Sequence, residues 1–250
     1  MKALITGASS GIGKDIAIYL SSLGIDIIAV ARDIEKLNSL KFEIKTSLKI
    51  LSFDLSNIEN CKMLYELVKD DDIDILINNA GFGVFGEFTE TNLDKEISMI
   101  NTNIIAVHVL TKLFLKDMKI KNKGYILNTA SLAGFMPGPL MSAYYATKSY
   151  VIRLSESITA ELKKSNSNVS ISVLCPGPVD TNFNNVANVK FSIKPLTSKY
   201  VAKYSIDKMF KKKLIILPGI ISKLVRIITK IVPDNIISHF TYNIQKKKVK

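Results

Sequence analysis

Two hundred and fifty residues suit one α/β domain with a substantial core, and two histidines with two widely separated cysteines, Cys61 and Cys175, argue against a zinc site. The net charge is +12 and the pI near 9.5. No nucleic-acid motif accompanies that charge, which is concentrated at the C-terminal end, so no nucleic-acid partner is expected. The absence of a G-x-S-x-G elbow argues against a Ser-His-Asp hydrolase.

Lys2-Ala-Leu-Ile-Thr6 reads as a short buried strand that runs directly into Gly7-Ala-Ser-Ser-Gly11-Ile-Gly13. Ile12, Ile16, Ala17 and Leu20 then form a helical apolar stripe. Strand, glycine turn and helix make the first unit of a dinucleotide-binding fold. The glycines permit a tight turn and close backbone approach, and a pyrophosphate meets the amides at the helix N-terminus. The spacing G-x-x-x-G-x-G departs from the general G-x-G-x-x-G pattern. Because Met1 is followed at once by this strand, no signal peptide is expected, and a cytoplasmic protein is the default reading.

Further apolar runs at Ile25–Val30, Leu48–Phe53, Ile73–Ile77, Tyr125–Asn128, Val169–Leu174 and Leu214–Leu217 predict buried parallel strands. Periodic segments near 33–46, 57–70, 89–120 and 142–164 predict the intervening helices. The alternation specifies a single-domain, Rossmann-type doubly wound parallel sheet covering 1–250, with 211–250 as a basic strand and helical tail. Cys175 closes an apolar run and reads as a small core residue. After the second strand stands Arg32, about twenty residues beyond the glycine motif. An acid there would bond the ribose 2′-hydroxyl of NAD, whereas an arginine accommodates the 2′-phosphate of NADP. Position 31 is alanine, and Asp33 reads as the cap of the following helix, so NADP(H) is expected over NAD.

Tyr144 and Lys148 lie four residues apart, with Ser131 thirteen residues before Tyr144. On a helix, positions i and i+4 share a face, so a phenol and an ammonium point the same way. A nearby cation favours the ionised phenol and lowers its pKa from about 10. A proton donor and acceptor results, and a serine hydroxyl close by can bond the reacting oxygen. Tyr145 has no lysine four residues later and is set aside.

Taken in order, Thr6-Gly-x-x-x-Gly-x-Gly13, Asn78-Asn-Ala-Gly81, Ser131, Tyr144-x-x-x-Lys148 and Pro176-Gly177 resemble the motifs of short-chain dehydrogenases/reductases over about residues 1–185. The resemblance implies carbonyl/alcohol oxidoreduction. Tyr144 is the implied acid/base, Ser131 holds the same oxygen, and Lys148 bonds the nicotinamide ribose and lowers the Tyr144 pKa. Asn103 matches the fourth catalytic residue, which positions a water behind the lysine, with Asn101 as the competing choice. Cofactor contacts implied are Gly7, Ser9, Ser10, Gly11, Ile12, Gly13 and Arg32, then Asp54 and Leu55 at the adenine, and Asn79, Ala80 and Gly81. Pro176, Gly177, Val179 and Thr181 complete them along the nicotinamide, while Asn78 is implied to be structural. Phe82, Val84, Phe85, Met136, Pro137, Leu140, Met141 and Phe183 are candidates for an apolar substrate cleft. The chain lacks the glycine-rich ending of 3-oxoacyl-carrier-protein reductases, which favours a hydrophobic ketone. A pyridine-nucleotide-binding regulator on the same fold is the alternative, but it would be expected to lose Ser131, Tyr144 or Lys148.

The resemblance also implies a homodimer or homotetramer, paired through helices near 101–118 and 149–163. Val107, Leu110, Leu113 or Phe114, Ile152 and Ile158 are the candidate contacts. Beyond the resemblance lies residues 211–250, where ten Lys or Arg stand against Asp234 alone, +9 of the +12. Within Gly219–Val232, Lys223, Arg226 and Lys230 recur among Ile, Leu and Val, between Pro218 and Pro233. That segment is too short and polar to span a bilayer. It predicts either a helix packed on the cleft or a neighbouring subunit, or peripheral membrane contact through 219–250.

Overall fold

The computed structural model describes residues 1–181, 183 and 195–246. A seven-stranded parallel sheet runs in the order β3-β2-β1-β4-β5-β6-β9. Its strands are β1 (Lys2–Thr6), β2 (Asp26–Ala31), β3 (Leu48–Ser52), β4 (Ile75–Asn78), β5 (Tyr125–Thr129), β6 (Ser170–Leu174) and β9 (Ile215–Ile216). Two short strands, β7 (Val179–Asp180) and β8 (Leu196–Thr197), pair separately beyond β6. The doubly wound Rossmann-type architecture is the one the alternation of apolar runs specifies, and each long strand falls within two residues of its apolar run.

Because strand side chains alternate, each strand feeds two cores. Ala3, Ile5, Ile27, Ala29, Ile75 and Ile77 point to one face. There they meet α1 (Gly11–Ser22) and α7 (Ser198–Phe210) through Ile16, Leu20, Val201 and Ile206. Leu4, Ile28, Val30, Leu76 and Ile126 point the other way. They pack on α3 (Ile58–Val68), α5 (Val107–Lys121) and α6 (Ser142–Lys164) through Leu64, Leu110, Phe114 and Leu162. Strands buried on both faces explain the near-continuous apolar runs. Cys175 is fully buried in a third cluster with Val151 and Val173, as its place in an apolar run implies. Helix α7 carried no prediction from sequence; Lys199, Tyr200 and Lys203, all exposed, obscure its stripe.

Three other features differ from expectation. The predicted 33–46 helix is α2 (Ile34–Ser39) and a 3-10 turn (Leu40–Phe42); Asp33 caps it, accepting from the Lys36 amide at 3.0 Å. The 89–120 segment is α4 (Leu93–Ile100), a π-helical turn (Asn101–Ala106) and α5. By length and composition Leu93–Lys121 is apolar enough to cross a membrane. Here it lies against the sheet instead, with Phe114 and Met118 in the core. The third difference concerns subunit pairing: Val107, Leu110, Phe114 and Ile152 are buried within this chain's own core and are not available to a partner. Leu113 and Ile158 remain half-buried.

The tail is a pair of helices, α8 (Ile220–Ile231) and α9 (Asp234–Lys246), with residues 247–250 outside the described residues. Pro218 and Pro233 precede them, as anticipated.

Candidate active site

The sheet order reverses between β1 and β4, and the loops after β1, β2, β3, β4, β5 and β6 open onto one cleft of about 720 Å³. Its lower half is a backbone cradle. Gly7 has φ +66°, and a Cβ on it would lie 2.9 Å from the Ala80 Cα. Gly13 is tighter still: a Cβ there would lie 2.3 Å from the Gly7 carbonyl oxygen. Ser10 sits at the N-cap of α1 with extended φ and makes no side-chain cap bond, and no acid occupies the first turn. The α1 amides therefore face the cleft with positive potential, as a phosphate-binding helix start requires.

Asn79 and Thr6 lock this cradle to β4. The Thr6 hydroxyl accepts from the Asn79 and Ala80 amides at 2.9 and 3.1 Å. Asn79 Nδ2 donates to the Thr6 and Gly7 carbonyls, both at 3.3 Å. Asn78 points away, donating to Thr111 Oγ1 at 3.0 Å and Asn128 Oδ1 at 2.9 Å, a structural tie between β4, β5 and α5.

Arg32 and Lys36 line one end of the cleft, with Ala31, the last residue of β2, beside them. Lys36 is a residue that the sequence reasoning passed over; it lies one helical turn after the Asp33 cap. It is held by Asp33 at 2.7 Å, and that hydrogen bond lowers the Asp33 pKa and raises that of Lys36. Asp54, Leu55 and Phe53 border the same end.

At the other end α6 presents Tyr144 and Lys148 on one face, and Ser131 starts the 3-10 turn Leu132–Phe135 after β5. Tyr144 and Lys148 are 8% and 5% exposed, deep enough for desolvation to govern their ionisation. Burial pushes the Tyr144 phenol well above its ordinary range, opposed by a hydrogen bond with Ser131. The same burial lowers Lys148 to about 8. Lys148 Nζ donates to the Thr129 carbonyl at 3.1 Å and stands 5.7 Å from the Tyr144 ring centre. Desolvation, and not the neighbouring ammonium, sets the direction of the Tyr144 shift in the cofactor-free protein: taking each group out of water disfavours its charged form.

Asn103 is fully buried on the π-helical turn, while Asn101 is half-buried and does not line the cleft. Asn103 Nδ2 donates to the Phe82 carbonyl at 2.9 Å and to Thr147 Oγ1 at 3.1 Å, and its Oδ1 accepts from the Phe82 amide at 3.1 Å. A Cβ on Gly81 would lie 2.7 Å from that Oδ1 and 3.3 Å from Lys148 Nζ.

Of the catalytic and cofactor-contact residues expected from sequence, all but Gly13 and Asn103 line the cleft directly, and those two brace it from behind. Among the eight apolar candidates, Phe82, Met136, Met141 and Phe183 line it; Val84, Phe85, Pro137 and Leu140 do not. Sequence reasoning also passed over Ile244 and Gln245 of α9. Gln245 Nε2 donates to the Tyr145 hydroxyl at 2.6 Å, and no local motif marks a glutamine that reaches the site from a hundred residues away.

The glycine cradle, the bare helix start and the cleft's length fit a dinucleotide. Comparison with known proteins agrees. The family model for short chain dehydrogenase matches residues 1–190. The human 17-beta-hydroxysteroid dehydrogenase type 3 is 33% identical over 198 residues, 77% of this chain and 63% of that protein. A short-chain dehydrogenase from Sphingobium yanoikuyae, solved in complex with NADPH, superposes with a TM-score of 0.82 at 25% identity, covering 93% of this chain and 96% of that one. A short chain dehydrogenase/reductase from Burkholderia phymatum, solved in complex with NAD, gives 0.80 at 25% identity, with 90% and 91% covered.

Proposed function

We propose that this chain, which belongs to the short-chain dehydrogenase family, interconverts a hydrophobic ketone and its alcohol with NADP(H) as the preferred nicotinamide cofactor. The observation that carries this reading is the group of buried Tyr144 and Lys148 with half-buried Ser131, at one end of a cleft whose other end is a glycine cradle with Arg32 and Lys36 beside it.

A bound nicotinamide supplies the hydride in reduction and accepts it in oxidation. The chain's own residues do the rest. The Tyr144 phenol, held protonated by burial, donates its proton to the carbonyl oxygen as the carbon is reduced. Ser131 donates a hydrogen bond to the same oxygen and fixes its distance from Tyr144. The phenolate left behind is stabilised by the ammonium of Lys148, which is charged below about pH 8. Asn103 is a positioning residue: by holding both polar groups of the Phe82 backbone and the Thr147 hydroxyl, it fixes the Gly81 loop after β4 against Lys148. Arg32 and Lys36 offer two cations to a 2′-phosphate, while Ala31 offers a ribose hydroxyl no acceptor. Phe82, Met136, Met141 and Phe183 supply an apolar wall with no cation among them, which supports a hydrophobic rather than an acidic substrate.

The test is a panel of ketones and alcohols of increasing bulk, each with NADPH and NADH, read at the nicotinamide absorbance band. Turnover that rises with substrate hydrophobicity and is faster with NADPH is expected. Turnover of no ketone or alcohol with either cofactor would overturn the reading.

A further inference from the structure

Helix α8 is built inside out. A surface helix of a globular fold turns its apolar stripe to the core. Here Ser222 is buried and Arg226 and Thr229 are half-buried, so a polar face looks inward, with the Arg226 guanidinium 4.0 Å over the Phe135 ring. Ile220, Ile221, Leu224, Ile227, Ile228 and Ile231 look outward, each between 52% and 75% exposed. Helix α9 repeats the theme. Thr241 and Gln245 are buried and bonded to the Pro137 carbonyl and the Tyr145 hydroxyl, while Ile236, Phe240 and Ile244 are exposed at i, i+4 and i+8. These inward faces, polar but for half-buried Val225 and buried Ile237, fix both helices to the body of the fold, so the outward apolar stripes are presented in a set place. Contiguous exposed apolar surface of this kind marks an interaction site.

We propose that α8 and α9 dock the protein onto an anionic phospholipid bilayer, lying in the headgroup plane with the isoleucine stripe in the acyl boundary. Length forbids spanning: the helices have 12 and 13 residues, against about 20 for a bilayer core. Charge selects the occupant. Lys223 and Lys230 are exposed on the helix that carries the isoleucines, and Lys246 is exposed at the end of α9, within a tail that holds +9. A second copy offering the same face would bring those cations against one another, whereas anionic headgroups neutralise them. Arg226 does not share in this, being turned onto Phe135, so the basic stripe anticipated from sequence is divided between the two sides of the helix. Since Ile244 and Gln245 also line the cleft, docking sets its rim against lipid.

Flotation of the full chain with vesicles of phosphatidylcholine alone, or with phosphatidylglycerol added, tests this without substrate or cofactor, so its outcome is separate from that of the turnover assay. Binding to the anionic vesicles is expected, with release at molar salt, where screening acts over about 3 Å. Lys223→Ala with Lys230→Ala should weaken it roughly 30-fold, at about five-fold per basic side chain. Leu224→Glu with Ile228→Glu should abolish it while circular dichroism stays unchanged, and because those side chains are exposed the fold does not depend on them. Full-length protein that stays soluble with anionic vesicles at low salt would overturn the proposal. So would a dimer in solution that Leu224→Glu with Ile228→Glu splits, because a second copy would then cover the face.

Discussion

Lys148 is where burial and charge conflict most directly. Its pKa is lowered from 10.5 to about 8 by desolvation, so the folded cofactor-free protein binds fewer protons than the unfolded chain between those two values. Stability therefore rises with pH across that window, and the cost of burying the ammonium, about 3 kcal/mol, is present in full below pH 8. Lys148→Met removes that cost. Urea denaturation at pH 7 should show the variant more stable than the parent, by up to that amount, with the slope between pH 8 and 10 lost. Catalysis should respond in the opposite sense, with Lys148→Met losing turnover while its stability improves. At the far end of the cleft, Arg32→Ala should erase most of the preference for NADPH over NADH. A charge-assisted hydrogen bond contributes about 1.5–3 kcal/mol, on the order of ten- to a hundred-fold in Kd. Lys36→Ala should remove a smaller part, because Asp33 already holds that ammonium at 2.7 Å. Fluorescence titration of both cofactors against each variant reads these differences.

At the scale of the element, the glycine turn shows how closely β1, α1 and β4 approach. A methyl on Gly13 would come within 2.3 Å of the Gly7 carbonyl oxygen, an atom that no rotamer change can move. Gly13→Ala should therefore destabilise the fold by about 3 kcal/mol and weaken cofactor binding, as thermal denaturation with and without NADPH would report. Much of this was legible in the sequence. Strands buried on both faces announce themselves as apolar runs, and the Tyr144–Lys148 spacing names a helix face wherever the helix sits. Other parts were not. Helix α7 packs on β-sheet residues through Val201, Ala202 and Ile206, but the exposed Tyr200 and the lysines around it blur the period. The π-helical turn at Asn101–Ala106 leaves no trace in composition, yet it carries Asn103 into the site. The burial that raises the Tyr144 pKa was not legible for a related reason: sequence shows which charges are neighbours and not how much water surrounds them.

For the whole molecule, the tail joins surface to cleft. Gln245 crosses from α9 to the Tyr145 hydroxyl, and Thr241 bonds the Pro137 carbonyl, so the last described helix forms part of the wall beside the apolar residues. Gln245→Ala should raise KM for bulky ketones about five-fold, the worth of roughly 1 kcal/mol for one hydrogen bond, and leave the Kd for NADPH unchanged. Tyr145→Phe should do the same if the bond itself is responsible. Subunit pairing cannot use Val107, Leu110, Phe114 or Ile152, which are spent on the chain's own core, so of the anticipated contacts Leu113 and Ile158 remain, beside the exposed Ile120 of α5 and Tyr150 of α6. The central claim is that the buried Tyr144 phenol passes a proton to and from substrate oxygen, and Tyr144→Phe tests it with the ring and its packing on Phe183 retained. Turnover of the best ketone and binding of NADPH should be measured side by side on this variant. Loss of turnover by three orders of magnitude or so, with cofactor affinity kept, is the predicted result; near-normal turnover would contradict it.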